Sequence, residues 1–340
     1  MSHPAPVAAP VPAPDAAFDR LKALLAPEMA RMDALIAERM RSEHTALIPQ
    51  VAAHLIGAGG KRLRPLLTLA AAKLCGHDGE DHVRLAAAVE FIHNATLLHD
   101  DVVDESGRRR GRPTANTVFG NKPSVLVGDF LFARSFQLMV ETGSVAVLGV
   151  LSDAAAVIVE GEVLQLAAAN SLKGGEPVYM QVIRGKTAAL FEAACRAGAM
   201  VAGAPAAQVA ALQAYGDALG IAFQIADDVL DYRGAALATG KNAGDDFREG
   251  KATLPVLIAH ARGDAAARAF WTRVIERREQ TPDDLPEALR LMRECGALDA
   301  AAERAATEAA RARGALAALP DHPLRRALED IADFVVARAH

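Results

Sequence analysis

From Asp15 almost to the C-terminus, apolar residues recur every three or four positions. Leu21, Leu24, Leu25, Met29, Met32, Leu35 and Ile36 set the pattern, which lines up as one stripe on a helix. The same periodicity predicts further helices over about 44–57, 63–75, 80–104, 122–142, 144–170, 175–202, 206–233, 252–262, 264–280, 283–296, 298–318 and 322–338. Clusters containing Gly57, Gly76, Pro113, Pro177 and Gly234 separate them, as breakers do. No run alternates like a strand. Residues 1–14 hold five of the 17 prolines and predict a flexible Pro/Ala-rich tail. No linker divides residues 15–340, so we expect one large all-α domain.

Composition agrees with that expectation. The chain is 51% hydrophobic and 4% aromatic, rich in helix-favouring Ala and Leu and thin in strand formers. Lys and Arg total 37 against 42 Asp and Glu, a net charge of −5, which speaks against a nucleic-acid partner. Cys75, Cys195 and Cys295 are far apart and odd in number, so neither a disulfide framework nor a zinc site is indicated. A reducing, cytoplasmic setting is expected, with no secretory pattern at the N-terminus. Ala197 to Gly216 carries no charge but contains Pro205, Gln208 and Gln213. It predicts two helices and a turn, not a membrane span.

One motif occurs twice. Asp100, Asp101 and Asp104 stand in LLHDDVVDES, and Asp227, Asp228 and Asp231 in FQIADDVLDY. Spacings of three and four put each set on one helix face. Two such DDxxD patterns arise by chance with a probability on the order of 0.005 in a chain of this composition. Clustered carboxylates repel unless a cation joins them, and hard oxygen donors suit Mg²⁺ sharing its shell with phosphates. A solvated acidic patch explains the apolar flanks poorly, because a carboxylate there needs a partner.

Cations occur in short segments near both clusters. Lys61, Arg62 and Arg64 follow Gly59-Gly60 and open a helix, a setting suited to anions. Arg108, Arg109, Arg110 and Arg112 follow the first cluster; Lys241 and Lys251 follow the second; Lys186-Thr187 opens AALF. Any one of these could be an ordinary surface cation, Arg62 and Arg108 above all. Together they predict two polyphosphate-bearing substrates.

The segments GGKRLRP, FIHNATLLHDDVVDESGRRRGRPTAN, GDFLFARSF, GKTAALF, FQIADDVLDY and GKNAGDDFREGKATLPVL resemble the all-trans polyprenyl diphosphate synthases. The resemblance runs over about 18–340 and is nearest the long-chain bacterial branch (octaprenyl, solanesyl and decaprenyl diphosphate synthases). It implies a helical bundle of the isoprenoid synthase type around a central cavity. It also implies repeated condensation of isopentenyl diphosphate onto an allylic diphosphate such as farnesyl or geranylgeranyl diphosphate. Mg²⁺, at two or three ions, would be held by Asp100, Asp101 and Asp104 on one wall and Asp227, Asp228 and Asp231 on the other, Asp231 less directly. Arg109, Lys186, Lys241 and Lys251 would bind the allylic diphosphate. Lys61, Arg64, His93 and Arg110 would bind isopentenyl diphosphate, and Thr187 and Gln224 would line the reacting carbons. The resemblance further implies a homodimer, a ubiquinone side chain as the destination, and brief membrane contact for product release.

Some positions need weighing. A lone His on an apolar helix is usually structural, but His93 lies two turns before Asp100 on the same face. His99 reads as structural, and Asp129 as a structural hydrogen bond or cap. Asp245 and Asp246 fit either a solvated loop or metal capture. Ala95 and Thr96, one turn before Asp100, are small and leave room for a long product; Ala86, Ala87 and Ala88 fit a tunnel. Gly107 and Arg108 depart from common family residues in the loop bearing Arg109 and Arg110, and Ala252 replaces a proline frequent between Lys251 and Thr253, a mild change. Rival readings are a shorter-chain synthase, a class I terpene cyclase and a non-catalytic synthase subunit. A cyclase leaves Lys61, Arg64, His93 and Arg110 unexplained; a non-catalytic subunit leaves six intact aspartates unexplained.

Overall fold

The computed structural model describes residues 16–57, 59–109, 111–234 and 244–338. The tail 1–14, Arg110 and Lys241 therefore lie outside the described residues. The chain begins with α1 (Ala16–Leu24) and α2 (Ala26–Arg39), parted at Leu25 with a proline in the first turn of α2, where a missing N–H costs nothing. Then follow α3 (Leu47–Gly57), α4 (Leu63–Leu74) and α5 (Asp81–Val103). A two-residue antiparallel pair, β1 (Arg108–Arg109) with β2 (Arg112–Pro113), precedes α6 (Ala115–Phe119), α7 (Asn121–Glu141) and α8 (Val145–Ala168). Next come α9 (Gly175–Ile183), α10 (Ala189–Val201), α11 (Ala206–Arg233) and α12 (Asp245–Arg248). The C-terminal third holds α13 (Leu254–Arg262), α14 (Ala265–Trp271), α15 (Asp284–Glu294), α16 (Ala297–Ala315) and α17 (Pro323–Ala337).

The architecture is all-α, as expected. α5 and α11 are its central rods. Leu85 through Val89 on α5, and Ala218 through Ala222 on α11, are buried without interruption. A helix apolar on every side belongs in the middle of a bundle. α7 packs on α5, α10 on both α4 and α11, and α16 on α11. α11 is long and apolar enough to cross a membrane, yet 61% of its most apolar window is buried inside the fold. The uncharged stretch 197–216 is two helices and a turn. Each aspartate motif closes one central rod: Asp104 caps the C-terminus of α5, and α11 ends two residues after Asp231.

Two expectations fail at the level of elements. The helix expected over 175–202 is interrupted by a π-helical turn, Arg184–Ala188, and the one over 264–280 turns π-helical at Thr272–Glu276. Thr272–Glu276 holds residues of ordinary helix propensity, and Gly185 in the first turn weakens a helix without specifying a wider turn. The β pair is the second surprise. Gly111, with φ +76°, supplies the left-handed backbone that reverses the chain there, a conformation costly for other residues.

Candidate active site

A cavity of about 680 Å³ opens at the aspartate end of the two rods. Its walls are the last turns of α5, the facing side of α8, α9 with the π turn, the end of α11, and residues 246–253. Asp100 and Asp104 look into it from α5, and Asp227 and Asp228 from α11. The two motifs thus face one space from opposite walls.

Burial without full compensation raises Asp100, Asp101 and Asp228. The Asp100 carboxyl is raised by burial and by Asp104, with Lys186 working against both. Asp101 is 1% exposed and raised by burial, although the Arg109 guanidinium donates to its Oδ1 from Nε and Nη2 at 2.9 Å each. Its Oδ2 is buried with no hydrogen-bond partner. Asp228 is pushed up to about 8 by burial and by Asp246. Its oxygens accept from Tyr179 Oη at 2.7 Å and Gln224 Nε2 at 2.8 Å. Gln224 Oε1 in turn accepts from Thr187 Oγ1 at 2.8 Å, so Thr187, Gln224, Asp228 and Tyr179 form one chain along the wall.

Lys186 is delivered by the π turn. Its Nζ donates to Glu162 Oε2 at 2.7 Å and lies 3.7 Å from Asp100 Oδ2. Glu162 is pushed up to about 7 by burial and by Asp100. The turn presses so closely on α8 that a Cβ at Gly161 would meet Lys186 N at 2.6 Å and the Gly185 carbonyl carbon at 2.9 Å. Lys251 lies across the cavity, 2.5 Å from Glu249 and 3.5 Å from Asp246. Burial pulls its pKa down, but the two acids outweigh that and leave it raised.

The other basic residues sit elsewhere. Arg64 Nη1 donates to His93 Nε2 at 3.2 Å; a guanidinium only donates, so that nitrogen is the acceptor. The Arg64 guanidinium lies 4.4 Å from the Phe191 ring centre, and the Lys61 ammonium 4.3 Å from that of Phe334. Arg64 and His93 pair at the α4–α5 contact, Lys61 lies against the rings of Phe18 and Phe334, and none of the three lines the cavity. Arg109 does not line it either; it is folded back onto Asp101.

Several expected roles change. Asp231 is 9% exposed and does not face the cavity. Its two oxygens accept the backbone N–H groups of Asp245 and Asp246 at 3.2 and 3.1 Å, so it anchors the start of α12 rather than presenting a metal ligand. Of the chain-length pair, Thr96 lines the cavity while Ala95 is fully buried. Adjacent helix residues point about 100° apart, and here that turn takes Ala95 into the core. Ala86, Ala87 and Ala88 are likewise core packing. His99, expected to be structural, lines the cavity beside Asp100, with Nε2 at 3.1 Å from Val125 O and 3.5 Å from Asp129. Asp129 stands inside α7 facing that ring and caps nothing. Asp246 lines the cavity. Glu162, Tyr179 and Arg278 were not singled out from the sequence. A lone acid in an apolar helix was the available signal for Glu162; Tyr179 and Arg278 offered none.

The donor set fits a hard divalent cation. It is all carboxylate oxygen, and burial holds Asp100 and Asp228 above their ordinary pKa. Among the described residues no three His, Cys, Asp or Glu side chains converge into a protein-only cage.

The family profile described as Polyprenyl synthetase matches residues 45–292. The chain belongs to the polyprenyl synthetase family. The octaprenyl diphosphate synthase of Escherichia coli (strain K12) is 46% identical to this synthase over 321 residues, covering 94% of this chain and 99% of that one. A decaprenyl diphosphate synthase structure from Rhodobacter capsulatus superposes with a TM-score of 0.92 at 61% identity, covering 95% of this chain and 99% of that one. A polyprenyl synthase from Caulobacter crescentus CB15, complexed with calcium and isoprenyl diphosphate, gives 0.91 at 55% identity, covering 95% and 98%.

Proposed function

We propose that the synthase is a prenyltransferase that adds isopentenyl diphosphate repeatedly to an allylic diphosphate and releases a long-chain all-trans polyprenyl diphosphate. The observation that carries this reading is the pair of aspartate motifs facing one another across a single cavity beside Lys186 and Lys251. Asp100, Asp104, Asp227 and Asp228 would hold Mg²⁺, at two or three ions, which neutralises diphosphate as it leaves. Lys186 and Lys251 meet the same group from opposite walls, with Asp101 keeping Arg109 close by. The resemblance adds Lys241 to this group.

Lys61, Arg64 and His93, with Arg110 by the resemblance, would hold the diphosphate of isopentenyl diphosphate. Cleavage of the allylic C–O bond gives a carbocation and diphosphate. The isopentenyl double bond attacks that carbon, a new C–C bond forms, and the lost proton goes to the departing diphosphate. Thr187 and Gln224 fix the wall beside these carbons. Fixed cations where charge develops need no reorganisation during the reaction.

Relatives that make octaprenyl and decaprenyl diphosphate support a long product, and a quinone side chain is its proposed destination. We place the activity in residues 15–340, with 1–14 as a tail, in the cytoplasm, with product release at a lipid surface. A homodimer is supported by exposed aliphatic residues on α7 and the start of α8, among them Leu126, Val140 and Val145, since exposed apolar surface marks an interface.

The test is incubation with Mg²⁺, farnesyl diphosphate and labelled isopentenyl diphosphate, followed by sizing of the dephosphorylated products. One dominant long chain is expected. A product of three or four units refutes the long-chain reading, and no incorporation with any allylic primer refutes the transferase reading.

A further inference from the structure

Three residues with left-handed backbone meet at the rim of the cavity. Asn170, Gly250 and Arg278 have φ of +57°, +69° and +58°. Two of the three are not glycine, and such conformations persist only where their surroundings enforce them. They come from three separate segments: the loop after α8, the loop carrying Lys251, and the loop after the π turn Thr272–Glu276.

Arg278 joins them. Its Nη1 donates to Asn170 Oδ1 at 3.0 Å and to the Glu249 carbonyl, and its Nη2 donates to the Arg248 carbonyl at 3.3 Å. All three acceptors are neutral, so the planar fork of the guanidinium sets the geometry. A Cβ at Gly250 would meet Arg278 Nη1 at 2.4 Å and Asn170 Oδ1 at 2.9 Å. A side chain at Gly250 would therefore have to displace Arg278 from its place between the segments. Two further bonds fasten the same junction: Gln280 Nε2 donates to Phe247 O at 2.8 Å, and Leu172 N donates to Glu276 Oε1 at 3.2 Å.

We propose that Arg278 is a positioning residue that clasps the loop 245–251, holding Asp246 and Lys251 against the cavity for the allylic diphosphate. This deepens, and rests on, the prenyltransferase reading. Arg278 carries out no chemical step. It fixes the backbone from which Lys251 reaches in.

Arg278→Ala, Arg278→Lys and Asn170→Gly test it. The last keeps a left-handed backbone accessible while deleting the amide acceptor. Arg278→Ala is expected to raise KM for the allylic diphosphate about tenfold, as loss of charge-assisted hydrogen bonds does. KM for isopentenyl diphosphate should stay unchanged and kcat should shift less than about threefold. Arg278→Lys keeps the charge without the fork and should retain most of the defect; Asn170→Gly should show part of it.

Amide hydrogen exchange on each full-length variant supplies a readout independent of activity. In the wild type, Gly250 N donates to Phe247 O and Lys251 N to Asp246 O, both at 2.9 Å. Faster exchange confined to these amides is expected in all three variants. Wild-type exchange there, an unchanged allylic KM, or full rescue by Arg278→Lys overturns the clasp. If Arg278→Ala loses protection throughout the molecule, the same criteria apply to Asn170→Gly. An inactive wild type with locally faster exchange in the variants would refute the prenyltransferase reading while leaving the clasp as a structural fact.

Discussion

Thr96 and Ala95 are neighbours on α5 with opposite surroundings, and substitution should separate them. Thr96→Phe puts a ring into the cavity one turn from Asp100, so product sizing should show a markedly shorter chain from a stably folded protein. Ala95→Phe forces the same ring into closed packing. It should lower unfolding free energy by about 1–3 kcal/mol, as overpacking does, with denaturant unfolding as the check. A second prediction concerns protons. Asp228 and Glu162 titrate at about 8 and 7 in the fold, well above their unfolded values. Below those values native and unfolded chains both carry the protons; between unfolded and folded pKa only the native chain does, so stability falls as pH rises. His82, pulled down to about 4 by burial and His77, acts in the opposite direction only below about 6.5. Thermal unfolding without divalent ions should therefore show Tm falling from about pH 6.5 to 8, and Mg²⁺ with inorganic diphosphate should flatten the slope. A flat profile without ions would contradict this account. Asp100, Asp104, Asp227 and Asp228 were legible because spacing places them, whereas Glu162 carried no such spacing. That Asp231 turns to the backbone of Asp245 and Asp246 was not, because the bond depends on where a distant loop docks.

Helix positions followed from apolar spacing and from glycine or proline at the ends, which is why α4, α5, α7, α8 and α11 begin and end close to where the pattern puts them. What escaped was how closely elements approach. The contact of Gly161 with the π turn cannot be read from GEVLQL or GKTAAL, since a missing Cβ shows only that space is available. Gly161→Ala meets backbone atoms that cannot rotate away. It should destabilise the fold by about 1–3 kcal/mol and also lower activity, because Lys186 and Thr187 move with the turn. Calorimetry together with steady-state kinetics measures both; loss of stability with normal kinetics would show that Lys186 is positioned by something else.

At the scale of the whole molecule, the two central rods bring both motifs to one end and leave an aliphatic face on α7 and the start of α8. Leu126→Glu and Val140→Glu on that face should shift the protein from dimer to monomer in sedimentation velocity while leaving its circular dichroism unchanged. A monomeric wild type would refute the proposed assembly. Residues on such a face looked like any other helical apolar positions in the sequence, because periodicity does not say whether the neighbour is the same chain or another copy.

The π turn at Arg184–Ala188 is also a matter of phase. An extra residue in one helical turn rotates everything beyond it by about 100° relative to an uninterrupted helix. α9 can therefore send Tyr179 to Asp228 while α10, continuing in nearly the same direction, turns Phe191 and Cys195 into the core. Deleting a single residue from 184–188 would restore ordinary winding and set those two faces against each other. The irregularity is the offset by which one continuous rod serves two separate registers.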